Sequence, residues 1–151
     1  MIPPKLGERF SSGDRKKFCD RHIKVGAVFR RFFKRTSPPK PKFFIIADIN
    51  PTQDTIGFVY INSEINQRMP PMKQDLQYEI RGVDYEFLAR DSFVDCSEIL
   101  EDTLASLKSQ CYQDLEIYQG ELRPEHLQVM CYRLAAAKTI PNKIKRRYNL
   151  L

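Results

Sequence analysis

Apolar and polar positions change period along the chain. In residues 24–33 (KVGAVFRRFF), Val25, Ala27 and Phe29 alternate with Gly26 and Val28, which predicts a strand. Arg30 and Arg31 then fall on opposite faces of it. Residues 43–49 are apolar on both faces, the pattern of a central strand. Asn50-Pro51-Thr52-Gln53-Asp54 reads as a turn. Residues 56–62 alternate again, so the two strands form an antiparallel hairpin. A polar loop with Pro70 and Pro71 follows. Residues 76–80 and 85–89 read as a second hairpin, joined by Arg81-Gly82-Val83-Asp84. Phe93-Val94-Asp95-Cys96 continues the strand pattern after a bend at Arg90-Asp91-Ser92. Residues 97–110 carry a weak helical stripe, and 115–118 read as a last strand. The clearest helix is 124–137, with Pro124 in its first turn, Glu125 suited to the N-terminal dipole, and Leu127, Met130, Cys131 and Leu134 on one side. Pro141 breaks it, and Asn142 starts a short second helix. Near the N-terminus, a short helix spans 14–21, with Asp14 as its cap.

Short strands with few helices in 151 residues predict a mainly β domain with a C-terminal helix, a small curved barrel. Residues 1–23 form a basic N-terminal arm and 24–151 the barrel domain. No apolar run approaches the roughly 18 residues that span a bilayer. The segment MIPPKLGERF lacks an apolar signal core, so a cytoplasmic location without membrane attachment is expected.

Charge sharpens this picture. Residues 1–42 hold 13 Lys/Arg and 3 Asp/Glu, residues 43–142 hold 8 and 16, and the last nine residues add four more cations. Basic ends around an acidic middle suit an acidic partner, nucleic acid or protein. The same distribution suits basic ends folding onto the acidic body. Residues 34–42 (KRTSPPKPK) form a basic, proline-rich loop that favours an extended conformation.

The four cysteines, Cys19, Cys96, Cys111 and Cys131, include no CxxC, so reduced thiols are expected. Cys19 and His22 form a CxxH, half of a zinc spacing, which His126 and Cys131 would complete. The alternative is that Cys96, Cys111 and Cys131 are small core residues. No cofactor is expected.

Four stretches carry a resemblance to a known family. They are Lys24-Val25-Gly26-Ala27-Val28, Lys40-Pro41-Lys42-Phe43-Phe44-Ile45-Ile46, residues 55–63 (TIGFVYINS), and Gly120-Glu121-Leu122 leading into the 124–137 helix. In this order they resemble the PemK/MazF toxin family, SH3-like barrels that are mostly ribonucleases of bacterial toxin–antitoxin pairs. The resemblance covers roughly residues 24–150. It implies an SH3-like barrel, a homodimer, single-stranded RNA as substrate and an antitoxin protein as a further partner. The family's usual catalytic pair is an Arg before Pro and a Thr or Ser at the end of the next strand. The matching positions here are Lys40, with Lys42 beside it, and Asn62, with Ser63 beside it.

Metal-independent RNA cleavage uses the substrate's 2′-OH. It needs a base, an acid for the leaving 5′-oxygen, and positive charge on the phosphoryl oxygens. Lys40, Lys42, Arg30 and Arg31 are candidates for the charge, though Lys lacks the bidentate fork of Arg. Asn62 and Ser63 are candidates to hold a phosphate oxygen, and Glu64 and Asp91 to act as base. Lys34, Arg35, Arg81 and Arg90 extend the candidate phosphate track. Phe32, Phe33, Tyr60 and Tyr85 are candidates to stack on unpaired bases, or else core residues. The sequence thus supports an endoribonuclease or, alternatively, a barrel that binds nucleic acid or protein without cleaving it.

Overall fold

The computed structural model describes residues 11–33 and 40–151, with the side chains of Phe32 and Phe33 excepted. A curled antiparallel sheet carries helices on both faces, so the molecule is mixed α/β. The strands are β1 (Ala27–Phe33), β2 (Lys40–Asn50), β3 (Thr55–Asn62), β4 (Gln77–Ile80), β5 (Ser92–Asp95), β6 (Leu100–Thr103) and β7 (Tyr118–Glu121). Their spatial order is β4-β5-β3-β2-β1-β7, with β6 on the first half of β3. The helices are α1 (Ser12–His22), α2 (Pro71–Gln74), α3 (Leu104–Gln113), α4 (Pro124–Ala136) and α5 (Asn142–Arg147).

The apolar run at the heart of β2 explains its central position. Phe44 and Ile46 enter one core with Phe29, Phe58 and Tyr60, covered by Cys19 and Ile23 near α1 and by Leu107 and Cys111 of α3. Ile45 and Ala47 enter a second core on the opposite face with Val28, Val59 and Ile61, covered by Met130 and Leu134 of α4. One ion pair spans the curl: Arg31 Nη2 of β1 lies 2.8 Å from Asp102 Oδ2 of β6.

Several expectations are corrected. Ser11, not Asp14, caps α1: its hydroxyl accepts the Asp14 N–H at 3.1 Å. β1 begins at Ala27 because Gly26 turns the chain with φ +88°, against the Leu127 side chain. Residues 85–89 are not a strand, and β4 pairs with β5 instead. Tyr85 and Leu88 are the residues buried there, three apart and joined by a Leu88 N–H to Tyr85 carbonyl bond of 3.2 Å, so the segment turns. The stretch 97–110 divides: β6 pairs with β3, and Thr103 then caps α3 by accepting the Ser106 N–H at 3.0 Å. Residues 115–117 form a 3-10 turn, and the last strand starts at Tyr118.

The cysteines depart from the reduced-thiol expectation at one pair. Cys19 of α1 and Cys111 of α3 form a disulfide across 92 residues of sequence. Arg15 reinforces the contact by donating to the Tyr112 and Gln113 carbonyls at 2.8 and 2.6 Å, at the C-terminus of α3. Cys96 and Cys131 are free thiols. With Cys19 joined to Cys111, the four-residue zinc set is not assembled. Among the described residues, no group of three or more His, Cys, Asp or Glu is placed to hold a metal ion. No described helix is long and apolar enough to cross a membrane.

Candidate functional site at one end of the sheet

The strand directions bring the sequence candidates to one end of the sheet. β1 finishes there, β2 starts, β3 finishes, β4 finishes and β5 starts. Lys40, Ser63, Glu64, Arg81, Arg90 and Asp91 therefore lie at the same end although 51 residues of sequence separate the first from the last, and all six are exposed. Lys34 and Arg35 fall outside the described residues.

Register decides which of these side chains meet. Arg31 is opposite Lys42, Asn62 is opposite Phe93, and Phe93 is opposite Glu79. The Phe43–Ile61 pairing continues one step to place Lys42 opposite Asn62. Directly opposed residues share a face, so Arg31, Lys42, Asn62, Phe93 and Glu79 form one row across five strands. Within it Lys42 Nζ donates to Asn62 Oδ1 and sits 4.2 Å from the centroid of the Tyr60 ring.

Lys42 is half-buried, and burial lowers its pKa from the ordinary lysine value; the Lys40 charge acts in the same direction. Asp95 and Glu98 oppose that shift, but the net direction is down. Asp95 is itself buried and its Oδ1 accepts from Gln77 Nε2 at 2.9 Å, from the Ser97 N–H at 3.0 Å and from the Ser97 hydroxyl. It is an anchored negative charge beneath the row, and nothing in its sequence context singled it out.

The other candidates take diverse positions. Arg31 is drawn inward: besides Asp102 it donates to Gln110 Oε1 at 2.9 Å and lies 4.8 Å from the Phe44 ring centroid. Arg30 is exposed on the opposite face, 5.5 Å from the centroid of Phe43. Asp91 accepts the Gly82 N–H at 2.8 Å and so ties the neck of the 81–91 loop. That neck is tight, since a Cβ on Gly82 would lie 2.8 Å from the Arg90 carbonyl carbon. Ser63 and Glu64 follow directly after β3, beside the Lys42–Asn62 contact. Tyr60 and Tyr85 are buried at 8% and 6% exposure, which makes them core residues and not surface stacking platforms. The Tyr85 hydroxyl accepts the Arg123 N–H at 2.9 Å and hydrogen-bonds His126 Nδ1.

The basic C-terminal residues divide in the same way. Lys145 is buried and donates to the Ala135 carbonyl at 2.8 Å. Arg147 Nη1 contacts both Glu101 oxygens at 2.8 and 2.6 Å, and the Tyr148 hydroxyl donates to the same carboxylate at 2.8 Å. Basic ends folding onto an acidic body, one of the two readings of the charge pattern, describes Arg147, whereas Lys145 folds inward onto a backbone carbonyl. Among the described residues, Arg30, Lys40, Arg81 and Arg90 are cations that remain exposed toward this end of the sheet.

Chemically, the site offers a desolvated lysine held by an amide oxygen, with a second lysine beside it. That set suits an oxyanion such as a phosphodiester, and a lysine with lowered pKa suits proton transfer as well. No family model matches the chain, and no curated protein matches it.

Proposed function

We propose that this protein is a metal-independent endoribonuclease of PemK/MazF type that acts on single-stranded RNA at the Lys42–Asn62 row. The observation that carries the reading is the contact itself. Lys42, which lies beside the Lys40 position matched to the family's Arg, is hydrogen-bonded to Asn62, the position matched to its Thr or Ser at the end of β3. The curled antiparallel sheet is consistent with an SH3-like barrel.

In this mechanism the substrate's 2′-oxygen attacks the adjacent phosphorus. The bond to the 5′-oxygen breaks, leaving a 2′,3′-cyclic phosphate and a free 5′-OH. The 2′-OH proton passes to the amine of Lys42 in its neutral form, the form that burial favours. Returned to the departing 5′-oxygen, the same proton balances the step. Asn62 fixes the Lys42 amine through its side-chain oxygen. Lys40 supplies positive charge to the non-bridging oxygens. Partners consistent with this reading are an antitoxin protein covering the row and a second copy of the chain.

Incubation of the purified protein with labelled single-stranded RNA, with and without EDTA, tests it. EDTA-resistant cleavage that falls at least about a hundredfold in Lys42→Ala, as expected for loss of an acid–base group, supports the enzyme. Unbroken RNA in every condition refutes it. A binding module is the second reading, favoured by Asp91: its carboxylate is engaged with the Gly82 N–H and is poorly placed to act as base. Salt-sensitive retention of intact RNA supports that module.

A further inference from the structure

The face opposite Lys42 carries a feature the mechanism does not use. Arg30 is exposed and its guanidinium lies 5.5 Å from the Phe43 ring centroid. The Phe43 ring is half-buried and meets Phe87 at a centroid distance of 5.6 Å with the planes at 46°. Phe87 is half-buried as well, and belongs to the 81–91 loop whose neck carries exposed Arg81 and Arg90. Behind Phe87 stand Tyr85, at 5.2 Å between centroids, and Gly120, whose missing Cβ would lie 3.6 Å from the Phe87 ring. The phenylalanine pair is thus supported by these neighbours and partly exposed.

A guanidinium lying over a phenyl ring makes a flat, delocalised cation, and such a plane receives a nucleobase on its outer side. Exposed Arg81 and Arg90, at the same end of the sheet, give this patch the charge sign that the flanking phosphates require. A lysine-lined groove would bind the backbone alone. The presence of a partly exposed aromatic ring under an arginine, with a second partly exposed ring beside it, points to the base.

We infer that Arg30, Phe43 and Phe87 form a base-stacking subsite for one unpaired nucleobase of a single-stranded RNA whose backbone crosses the sheet end. The inference rests on the RNA reading above and adds to it the contact that engages a base. It places the strand over both faces of the sheet edge, with phosphate handled at Lys42 and a base held at Arg30.

The test uses a fluorescently labelled 2′-O-methyl oligouridine, which lacks the nucleophilic hydroxyl and stays intact, and an abasic oligonucleotide of the same backbone and length. Wild-type protein is expected to bind the base-containing probe about tenfold more tightly, roughly 1.4 kcal/mol, within the range for one stacked base. Arg30→Lys keeps the charge and loses the plane, and Phe87→Leu keeps an apolar side chain and loses the ring. Both are expected to abolish the preference for the base-containing probe while still binding both probes. A wild-type protein that binds the two probes equally, or an Arg30→Lys variant that keeps the full preference, overturns the subsite and leaves the RNA reading standing. Failure to bind either probe at low salt overturns both. Arg30 is a surface residue, so its variant tests the idea even where Phe87→Leu impairs folding.

Discussion

Gly57 is the position where one added methyl tests the packing most directly. A Cβ there would sit 2.9 Å from two carbons of the Tyr148 ring and 3.0 Å from Ile99 Cγ2. Comfortable carbon–carbon contact is about 3.5–4.0 Å, so the ring must retreat by roughly half an ångström or more. Tyr148 has little room to do so, being 1% exposed with its hydroxyl held 2.8 Å from Glu101 Oε2. Overpacking of this kind costs about 1–3 kcal/mol. A weakened hydrogen bond to a carboxylate adds up to about 1.5–3 kcal/mol. Replacing glycine stiffens the unfolded chain and returns about 0.4–1 kcal/mol. The net expectation for Gly57→Ala is a loss of about 2 kcal/mol, or about 4–8 °C in Tm for a chain of this size. Urea unfolding followed by circular dichroism measures it. The cost is expected to shrink in a Tyr148→Leu background, where the ring that meets the methyl is absent. An unchanged midpoint in Gly57→Ala, or an undiminished loss in the double variant, refutes the assigned contact.

Four further outcomes follow from particular residues. Burial, with the Glu101 carboxylate, pushes the Tyr148 hydroxyl up to about 12. Its contribution to stability is therefore complete below the unfolded value of about 10 and is lost as pH rises from there to about 12; Tyr148→Phe is expected to flatten that alkaline decline in unfolding curves. The Cys19–Cys111 bond closes a loop of 92 residues, so dithiothreitol is expected to lower stability by up to about 4.6 kcal/mol in the chain-entropy account, read as a fall in the urea midpoint. Lys40→Ala is expected to reduce the slope of log affinity against log salt for single-stranded RNA by about 0.7. Lys145→Ala, which leaves the Ala135 carbonyl without its donor, is expected to cost about 1–3 kcal/mol of stability and to leave that slope unchanged.

Legibility in the sequence followed the range of the interaction. The β2–β3 hairpin was readable because a run apolar on both faces, a Pro-containing turn and an alternating run lie within two dozen residues. The α4 helix was readable for the same reason, through its stripe and Pro124. Residues 85–89 were misread because Tyr85 and Phe87 show a period of two, while burial in fact follows Tyr85 and Leu88, and the sheet pairing goes to β5. Opposite faces for Arg30 and Arg31 were readable from parity. Which of the two faces solvent was not, because Asp102 and Gln110 lie 71 and 79 residues away from Arg31.

The sequence by itself determined the strand and helix periods, the charge segregation and the residue types available for phosphate chemistry. These are local properties, set by backbone geometry and side-chain chemistry one element at a time. Only the tertiary structure decided that Lys42 meets Asn62, that Cys19 meets Cys111, and that Lys145 and Arg147 turn inward while Arg30 and Lys40 face solvent. Each of those outcomes depends on the curl of the sheet and on cross-strand register. Both arise from the sum of many packing contacts between segments distant in the chain, and no local pattern encodes that sum.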